Sequence, residues 1–453
     1  MFRTGLRLHT SMLHSSILAL GLLSASTFSN AADLLELYKK AVSYDADIAA
    51  AKESMMAEKE SENIAFGTLL PSINSSASLS FNNMNQDPVS NSNRPAVFSL
   101  SVSQPVYNPA NWHNLSAAEQ NALRAQAGYD AATQSLILSV ATAYFNVLRA
   151  EENLSTSKSE EAAVKRQFEQ ASEQFNVGLI AITDVHEAKA SYDASQTERI
   201  RAEGALTLAF EELSRLSGEE VRSLSALRED FPIKLEVNAD VNHWIEQARQ
   251  NSVEIRIADY QYKSLEQRYK AASTGHLPTV NLGAGYEFGD MNSGGPGPRD
   301  FDEEQSSIGI TVNMPLYAGG ATQSRIRQSR HELEQARHLL DSAKRQASIQ
   351  TRSEFINIRT NVQTVESLKQ NIVSRESALQ ATREGYKVGT RNIVEVLDAE
   401  RRYYSALRDY LNARFDYIES QLRIRRAAGT LSEKDLSELN AWLQARGTTA
   451  SGS

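Results

Sequence analysis

Two acidic residues near the start of a predicted helix form the most informative candidate site in the sequence. Glu395 and Asp398 lie three residues apart, so a helix directs both carboxylates from one side. Repeated around a symmetry axis, such a pair would form a negative ring that attracts cations and repels anions. The alternative is that acidic side chains near a helix N-terminus only interact favourably with the helix dipole.

The remaining side chains do not predict catalysis. Cysteine is absent from the 453 residues, which excludes disulfides, thiolate metal sites and a lipid-modified N-terminal cysteine. His331 and His338 could share a helix face, but no nearby carboxylates complete a metal-ligand set, and solvated side chains are the simpler interpretation. Because a phosphate-binding glycine loop and a nucleophile elbow are also missing, we predict no enzyme activity, cofactor or metal site. The net charge of −9, without a basic motif, argues against a nucleic-acid partner.

The chain contains two copies of one structural unit. Three motifs of the first copy are Pro71-Ser72-Ile73-Asn74, Gln104-Pro105-Val106-Tyr107 and Phe175-Asn176-Val177-Gly178. They recur, at a shift of roughly 210 residues, as Pro278-Thr279-Val280-Asn281, Met314-Pro315-Leu316-Tyr317 and Tyr386-Lys387-Val388-Gly389. We therefore expect any function to use both copies.

Each copy has a pair of segments in which apolar and polar residues alternate, as in β-strands. The apolar series are Ala77, Leu79, Phe81 and Phe98, Leu100, Val102 in the first copy, and Leu282, Ala284, Tyr286 and Ile308, Ile310, Val312 in the second. Almost all residues between them are Ser, Asn, Gly or Thr, and the loops at 82–95 and 289–304 are hydrophilic. Each run has about the 9 to 11 residues that a tilted strand needs to cross a membrane. A soluble antiparallel sheet with one face on a core is the alternative.

Four strands are too few to enclose a channel. An open sheet edge in lipid leaves unpaired backbone groups that cost several kcal/mol each. Copies of the chain must therefore contribute strands to a shared barrel, and three copies would give twelve strands, wide enough for a channel. In such a trimer, Glu395 and Asp398 would form a ring of six carboxylates.

Long apolar repeats predict a coiled coil in each copy. Apolar residues recur in steps of four and three at Leu136, Val140, Ala143, Val147, Ala150 and Leu154, and every seven residues at Ile358, Val365, Ile372, Leu379 and Tyr386. No strong breaker interrupts 116–177 or 322–388, so each helix could extend roughly 90 to 100 Å. Shorter helical patterns occupy 33–66 and 242–273 before the strands, and 182–216 and 393–428 after the turns. Gly178 and Gly389 suit the left-handed residue that ends a long helix.

These patterns predict a first repeat at 32–217 with its β-hairpin at 72–107, and a second repeat at 241–428 with its β-hairpin at 279–316. An equatorial linker at 218–240 joins them, and an equatorial C-terminal segment at 429–446, with a short helix at 432–446, precedes a disordered tail at 447–453.

A signal peptide is predicted at 1–31, where Arg3 and Arg7 precede a short apolar run and small residues. The alternative, a membrane anchor, needs about 20 apolar residues. No later segment is apolar enough to cross a membrane as a helix.

Several motifs resemble those of the TolC family of outer-membrane efflux channels in Gram-negative bacteria. They are Thr142-Ala143-Tyr144-Phe145-Asn146-Val147-Leu148, Gly275-His276-Leu277-Pro278 and the segments 175–185 and 385–399, and the resemblance extends over 34–443. It implies an α+β membrane protein that forms a trimer, with a twelve-stranded outer-membrane β-barrel built from four strands per protomer, and a long coiled-coil α-helical barrel in the periplasm. It also implies an exit duct of efflux pumps and type I secretion systems, which passively conducts drugs, detergents, bile salts and proteins. The absence of cysteine separates the chain from the lipoprotein branch of the family.

The resemblance also implies roles for residues at the helical turns. Glu395 and Asp398 match the acidic pair at the periplasmic constriction, although Glu395 stands where Asp is usual. Asp184 and Tyr386 match a link within a protomer, and Thr183, Asp184 and Arg391 match links between protomers that keep the periplasmic entrance shut. Untwisting of the second copy's helix pair would open it. The turns Val177-Gly178-Leu179 and Val388-Gly389-Thr390 resemble the tips that meet a periplasmic adaptor.

The implied partners are two further copies of the chain, outer-membrane lipid, a periplasmic adaptor and an inner-membrane transporter of the RND, MFS or ABC type. Phages or bacteriocins are further candidate partners at the extracellular loops. A transporter must supply the energy because the chain has no nucleotide site. Two other classes remain open from the residues alone: a periplasmic coiled-coil scaffold or adaptor that conducts nothing, and a trimeric surface adhesin whose helices project outside the cell.

Overall fold

Each copy of the repeat folds as helices on both sides of a strand pair. The computed structural model describes residues 32–86, 89–93, 96–234, 240–289 and 303–444. The predicted signal peptide at 1–31 and the predicted tail at 447–453 lie outside these residues, as does most of the hydrophilic loop at 289–304.

The elements of the first copy are α1 (Leu34–Tyr44), α2 (Ala46–Gly67), β1 (Ser72–Leu79), β2 (Asn82–Gln86), β3 (Val89–Asn93), β4 (Ala96–Tyr107), α3 (Pro109–Asn176) and α4 (Ile182–Ser217). A two-residue strand, β5 (Ala226–Leu227), follows in the linker. The second copy comprises α5 (Val241–Asn251), α6 (Val253–Ser273), a 3-10 turn (Thr274–His276), β6 (Thr279–Gly289), β7 (Glu303–Asn313), α7 (Ala321–Lys387) and α8 (Ile393–Ala427). The chain then forms α9 (Glu433–Asn440) and β8 (Leu443–Gln444). The β2–β3 hairpin lies within the loop predicted at 82–95.

The long strands form one antiparallel sheet in the order β1–β4–β6–β7. On one face, Val102 of β4 lies opposite Ile73 of β1 and Ala284 of β6. On the other face, Ser101 of β4 lies opposite Gly285 of β6. A register shift of one residue would exchange the two faces, so these pairings fix an apolar and a polar face, as predicted. The outer strands β1 and β7 each have one edge that no strand of the described chain covers.

The two long helices each form an antiparallel hairpin with the helix that follows. α3 has 68 residues and α7 has 67, so each extends about 100 Å at 1.5 Å per residue. α3 packs against α4, and α7 packs against α8, while α3 also contacts α6 and α8 of the second copy. The predicted long helices are confirmed, and α3 joins the two copies together with the pairing of β4 and β6.

The helices that precede the strands are broken, whereas the sequence predicted single helices at 33–66 and 242–273. The break in the first copy is at Asp45, which has an extended backbone and whose side chain accepts hydrogen bonds from the backbone N–H groups of Asp47 and Ile48. Ser252 has the same role in the second copy, accepting from the N–H of Ile255. Each residue therefore ends one helix and caps the next. The hydrogen bonds of such a capping side chain compete with continuation of the helix, and apolar periodicity does not reveal this competition.

The largest apolar core lies where the middle of α3 meets α1, α8 and α9. Tyr144, Phe145, Tyr417 and Ile418 are fully buried there, and each large apolar side chain contributes about 1.5–3 kcal/mol when buried. By length and composition, α3 is long and apolar enough to cross a membrane. The expectation that no segment after the signal peptide is apolar enough to cross a membrane as a helix was therefore wrong. Half of the most apolar window of α3 is buried in the fold, so its apolar residues form part of a core.

The first and last described residues, Ala32 and Gln444, both lie near this core. The N–H of Ala32 donates to the carbonyl of Ser223 (3.1 Å), and the N–H of Ser225 donates to the carbonyl of Ala32 (3.2 Å). β5 of the linker pairs with β8 near the C-terminus. The helix predicted at 432–446 therefore ends at Asn440, because the residues beyond it enter the β5–β8 pair. The linker and the C-terminal segment form one belt across the middle of the long helices.

Candidate functional site

The candidate site begins at the two turns where the long helices end. Gly178 and Gly389 have φ angles of 78° and 77°, the left-handed conformation predicted for them. In the first turn, the N–H groups of Gly178 and Leu179 donate to the carbonyls of Phe175 and Gln174. The second turn repeats this arrangement, which satisfies the last carbonyls of the helix. The apolar side chains of both turns are exposed: Val177, Leu179 and Val388. Thr390 is exposed beside them, and its hydroxyl donates to the carbonyl of Gly385 (3.0 Å).

Glu395 and Asp398 lie on the first two turns of α8, where Asn392 caps the helix by accepting a hydrogen bond from the N–H of Glu395 (2.9 Å). Neither carboxylate is isolated. Arg391 reaches Glu395 with an Nη1–Oε2 distance of 2.5 Å. Asp398 accepts from Arg401 at 2.5 Å and from Arg402 at 2.7 Å. The predicted site is therefore a cluster of two carboxylates and three guanidinium groups, and not a pair of uncompensated negative charges.

The arginines also control the titration of Asp398. Burial raises the pKa of this carboxyl, but the hydrogen bonds and charges of Arg401 and Arg402 outweigh burial and lower the pKa below its usual range. The carboxyl therefore stays ionised to a lower pH than an ordinary aspartate, whose pKa is about 3.9.

Tyr386 does not make the predicted hydrogen bond with Asp184 inside the chain. Its hydroxyl donates to Oε1 of Gln174 near the end of α3, at 2.7 Å. A phenol has one proton to donate, so Asp184 receives none from it. Burial and then the charge of Asp184 raise the pKa of Tyr386, so the two groups are neighbours without being bonded. Within one chain, Tyr386 therefore links the two hairpins through Gln174.

The residues predicted to join neighbouring protomers face outward in a single chain. Thr183 is exposed and Asp184 is half-buried at the start of α4, and the Asp184 carboxylate has no ion pair within the described residues. Arg391 is exposed and its guanidinium is turned towards Glu395 of its own chain. The single chain brings Arg391, Glu395 and Asp398 together on one hairpin, and Thr183 and Asp184 on the other.

A buried carboxylate lies deeper between the two hairpins. Glu400 on α8 is 0% exposed, and its Oε1 accepts from Arg383 on α7 at 2.5 Å and from Gln167 on α3 at 3.4 Å. An apolar cluster lies between the same helices, and it includes Val164, Ala171, Ala188, Ile393 and Leu397. The Glu400 cluster, which we define as Glu400, Arg383 and Gln167, therefore connects three helices by an ion pair and a hydrogen bond.

Polar pairs connect α3 with the second hairpin along its length, four of them to α8 and the last to α7. From the middle of the molecule towards the tips, they are Arg149 with Asp416 and Glu419, Asn153 with Asn412, Glu160 with Arg408, Gln167 with Glu400, and Gln174 with Tyr386. The two hairpins of one chain therefore meet through hydrogen bonds and ion pairs as well as through the apolar cluster that includes Val164, Ala171, Ala188, Ile393 and Leu397. Water can replace the polar contacts at modest cost, because a typical internal hydrogen bond contributes only about 1 kcal/mol net.

Comparison with known proteins identifies the family. The sequence model described as "Outer membrane efflux protein" matches residues 37–219 and 244–430, which are most of both copies of the repeat. The chain belongs to this family. It is 37% identical to outer membrane protein TolC of Vibrio cholerae over 94% of this chain and 97% of that protein. It is 26% identical to the proteases secretion protein PrtF of Dickeya chrysanthemi over 91% of each chain.

A solved structure shows the same fold. The outer membrane protein VceC of Vibrio cholerae superposes with a TM-score of 0.76, covering 87% of this chain and 96% of that chain at 18% identity. The predicted α+β membrane fold with four strands per chain and long periplasmic helices is confirmed. The protein is an outer-membrane efflux channel subunit, and its helices extend into the periplasm. The relatives are transport proteins.

The repeat shows that the two hairpins differ at their tips. At a shift of 211 residues, which relates Gly178 to Gly389, Glu395 and Asp398 correspond to Asp184 and Glu187. The positions that correspond to Arg391, Arg401 and Arg402 are Ile180, Ala190 and Ser191. Glu187 has no ion-pair partner in the described part of the chain. At these positions the first hairpin therefore has carboxylates without arginines, whereas the second has carboxylates together with arginines.

Some of the residues that sequence reasoning missed could have been found. Arg401 and Arg402 lie three and four residues after Asp398, spacings that pair side chains on a helix. Arg391 was predicted as a site residue, but its pairing with Glu395, four residues later, was missed. Gln174 and the Glu400 cluster could not have been found this way. Their partners are on other helices, and no local spacing relates them.

We expect the arginines to weaken cation binding at the carboxylates. Changing Arg401 and Arg402 to Gln should strengthen block of the reconstituted channel by a trivalent ammine cation several-fold, whereas changing Glu395 and Asp398 to Ala should weaken block. Because the same arginines lower the pKa of Asp398, the Gln variant should lose block at a higher pH than the unmodified channel as the solution is acidified. The measurement is the cation concentration that halves the current, as a function of pH.

A matched control is Arg201→Gln on α4, which removes an exposed arginine that pairs with Glu198 at 3.7 Å, away from the carboxylates. This change should leave block unaltered. If the cation blocked all the variants equally, Glu395 and Asp398 would not line the conducting path.

Proposed function

We propose that three copies of this chain form one exit duct across the outer membrane and the periplasm. The observation that carries the proposal is the four-stranded sheet, which has one apolar face and an uncovered strand at each edge. Such a sheet is stable in lipid only when other strands cover both edges. Three sheets of four strands form a closed barrel of twelve, with the polar faces around a water-filled lumen. The helices, about 100 Å long, extend this lumen towards the inner membrane.

The duct is passive in this proposal, and the chain performs no catalytic step. Energy comes from an inner-membrane transporter of the RND, MFS or ABC type, coupled through a periplasmic adaptor. The exposed apolar side chains of Val177, Leu179 and Val388 support docking of the adaptor at the two turns. The similarity to a proteases secretion protein supports passage of proteins by type I secretion, besides drugs, detergents and bile salts.

The periplasmic entrance is closed by the hairpin tips in this proposal. Tyr386 and Gln174 tie the two hairpins of one chain, and Arg391 of one chain meets Thr183 and Asp184 of the next. Glu395 and Asp398 of three copies line the constriction. Opening requires the α7–α8 hairpin to untwist along its seam with α3, which breaks the polar pairs and separates Ile393 and Leu397 from the apolar side chains of the first hairpin.

The proposal is tested by purifying the chain in detergent and reconstituting it in planar bilayers. We expect light scattering to give a protein mass three times that of the 50.1 kDa chain, less the signal peptide, and the bilayers to show discrete conductance steps. A soluble, lipid-free monomer would contradict the duct and favour a periplasmic scaffold. Protease cleavage at Gly178 in intact cells would place the turns outside the cell and favour an adhesin.

A further inference from the structure

The strand pairs of the two copies have the same internal register. In the first copy Ser72 lies opposite Ser103, and in the second Thr279 lies opposite Asn313. Thr279 follows Ser72 by 207 residues, and Asn313 follows Ser103 by 210 residues, the same shifts that align Pro71 with Pro278 and Pro105 with Pro315. The two hairpins are therefore equivalent residue by residue, and not only in overall shape.

One junction inside the chain shows how two such hairpins join. β4, the second strand of the first copy, pairs with β6, the first strand of the second copy, and Ser103 lies opposite Gly283. By the same shifts, β4 corresponds to β7, and β6 corresponds to β1. The uncovered edges of the sheet are therefore the two halves of a second junction of the same kind, which one chain cannot complete.

We propose that β7 of one copy pairs with β1 of the next in the register of the internal β4–β6 junction. The equivalent of Ser103 is Asn313 and the equivalent of Gly283 is Ser76, so Asn313 lies opposite Ser76 of the neighbouring copy. Ile310 then lies opposite Leu79. This inference rests on the proposed trimer and specifies how its subunits meet.

The side chains on the two edges fit this register. Asn313 and Ser76 both belong to the polar face, and Ile310 and Leu79 both belong to the apolar face, so the faces continue across the junction. A shift by one residue would place apolar side chains in the lumen.

Exposure also marks the two edges as halves of one junction. Ile310 and Leu79 are 69% and 78% exposed. Their equivalents inside the chain, Leu100 and Tyr286, are 39% and 38% exposed. The edge side chains therefore lack the neighbours that the central ones have.

The helices below the sheet provide independent support. If the edges join, α7 lies beside α2 of the neighbouring copy, as α3 lies beside α6 within the chain. α2 carries five acidic residues and two lysines, a net charge of −3. The first 25 residues of α7 carry six basic and three acidic residues, a net charge of +3. Opposite charges on the two edges favour a head-to-tail junction of copies and oppose junctions of like edges.

The absence of cysteine allows a direct test by disulfide cross-linking in the full chain. A series of double variants combines Asn313→Cys with one Cys substitution on the same face of β1 and the residue after it, at Ser72, Asn74, Ser76, Ser78 or Ser80. Directly opposed residues have Cα atoms about 4.5–5.5 Å apart, within disulfide range, and each step of two residues adds about 7 Å along the strand. After mild oxidation in membranes, non-reducing gels should show covalent dimers and trimers with a maximum at Ser76.

The control is the equivalent pair inside the chain, Ser103→Cys with Gly283→Cys. A Cβ at Gly283 would come no closer than 3.9 Å to its neighbours, so Cys fits there. This variant should lose its free thiols on oxidation without forming covalent dimers.

The possible outcomes separate the register from the trimer. A maximum at any other β1 position overturns the register and leaves the shared barrel in place. No cross-linking anywhere in the series, with the control pair oxidised, overturns both the register and the shared barrel.

Discussion

Replacing Tyr386 with Phe and Arg391 with Ser should raise the single-channel conductance of the reconstituted protein several-fold. The first change removes the hydroxyl that donates to Gln174, and the second removes the guanidinium that pairs with Glu395 and is proposed to reach the neighbouring copy. The hydrogen bond contributes about 1 kcal/mol per subunit, or about 3 kcal/mol for three subunits that open together. That energy raises the ratio of open to closed states about a hundredfold, so the conductance averaged over the opening and closing of one channel rises with the fraction of time it is open. Planar-bilayer recordings measure the result.

A matched control makes the same chemical changes in the membrane-proximal half. Tyr260→Phe on α6 and Arg337→Ser on α7 remove a hydroxyl and an arginine that pairs with Glu334 at 3.6 Å. Conductance of this variant should stay at the unmodified value. If the Tyr386 and Arg391 variant also stays there, these residues do not hold the entrance shut.

Replacing Arg383 with Ala should produce the largest loss of stability among the substitutions considered. Glu400 is 0% exposed and Arg383 is 40% exposed, so the change leaves a buried carboxylate whose remaining partner is Gln167 at a long 3.4 Å. Removing one partner of a buried ion pair costs about 3–5 kcal/mol. We expect a value near the lower end because water can reach the place vacated by Arg383. The melting temperature of the purified protein in detergent, followed by circular dichroism, should fall by several degrees.

Two further variants test the cause of this loss. Adding Glu400→Gln to Arg383→Ala removes the uncompensated charge, so it should recover most of the stability. Lys387→Ala removes an exposed ion pair with Glu384 on the same helix, and its effect should stay within about 0.5 kcal/mol. A double variant as unstable as Arg383→Ala alone would show that the charge of Glu400 is not the cause.

The sequence predicted the elements that repeat and missed the contacts between them. Alternation predicted the apolar and polar faces of the sheet, because side-chain direction in a strand follows directly from position. Gly178 and Gly389 predicted the ends of the long helices, because few other residues adopt a positive φ. Asp45 and Ser252 were missed as helix breaks, because a capping residue inside a helical pattern is detected only from its hydrogen bonds.

The sequence predicted the two carboxylates of the candidate site but not the arginines that neutralise their charge. Spacing identified Glu395 and Asp398, and the same spacing argument, applied to the following turn, would have added Arg401 and Arg402. The partner of Tyr386 could not be derived in this way. Gln174 lies 212 residues away on another helix, and its position depends on how the two hairpins pack.

The difference between the two hairpin tips has a consequence for the proposed ring of six. The first hairpin carries Asp184 and Glu187 without arginines, and the second adds three arginines to its two carboxylates, so negative and slightly positive sectors alternate around the mouth. Each sector then attracts both of its neighbours. Attraction between exposed charges is screened beyond about 8 Å at physiological ionic strength, and over shorter distances in brine. The salinity of the surroundings would therefore adjust how firmly the mouth stays shut, without any ligand or partner protein.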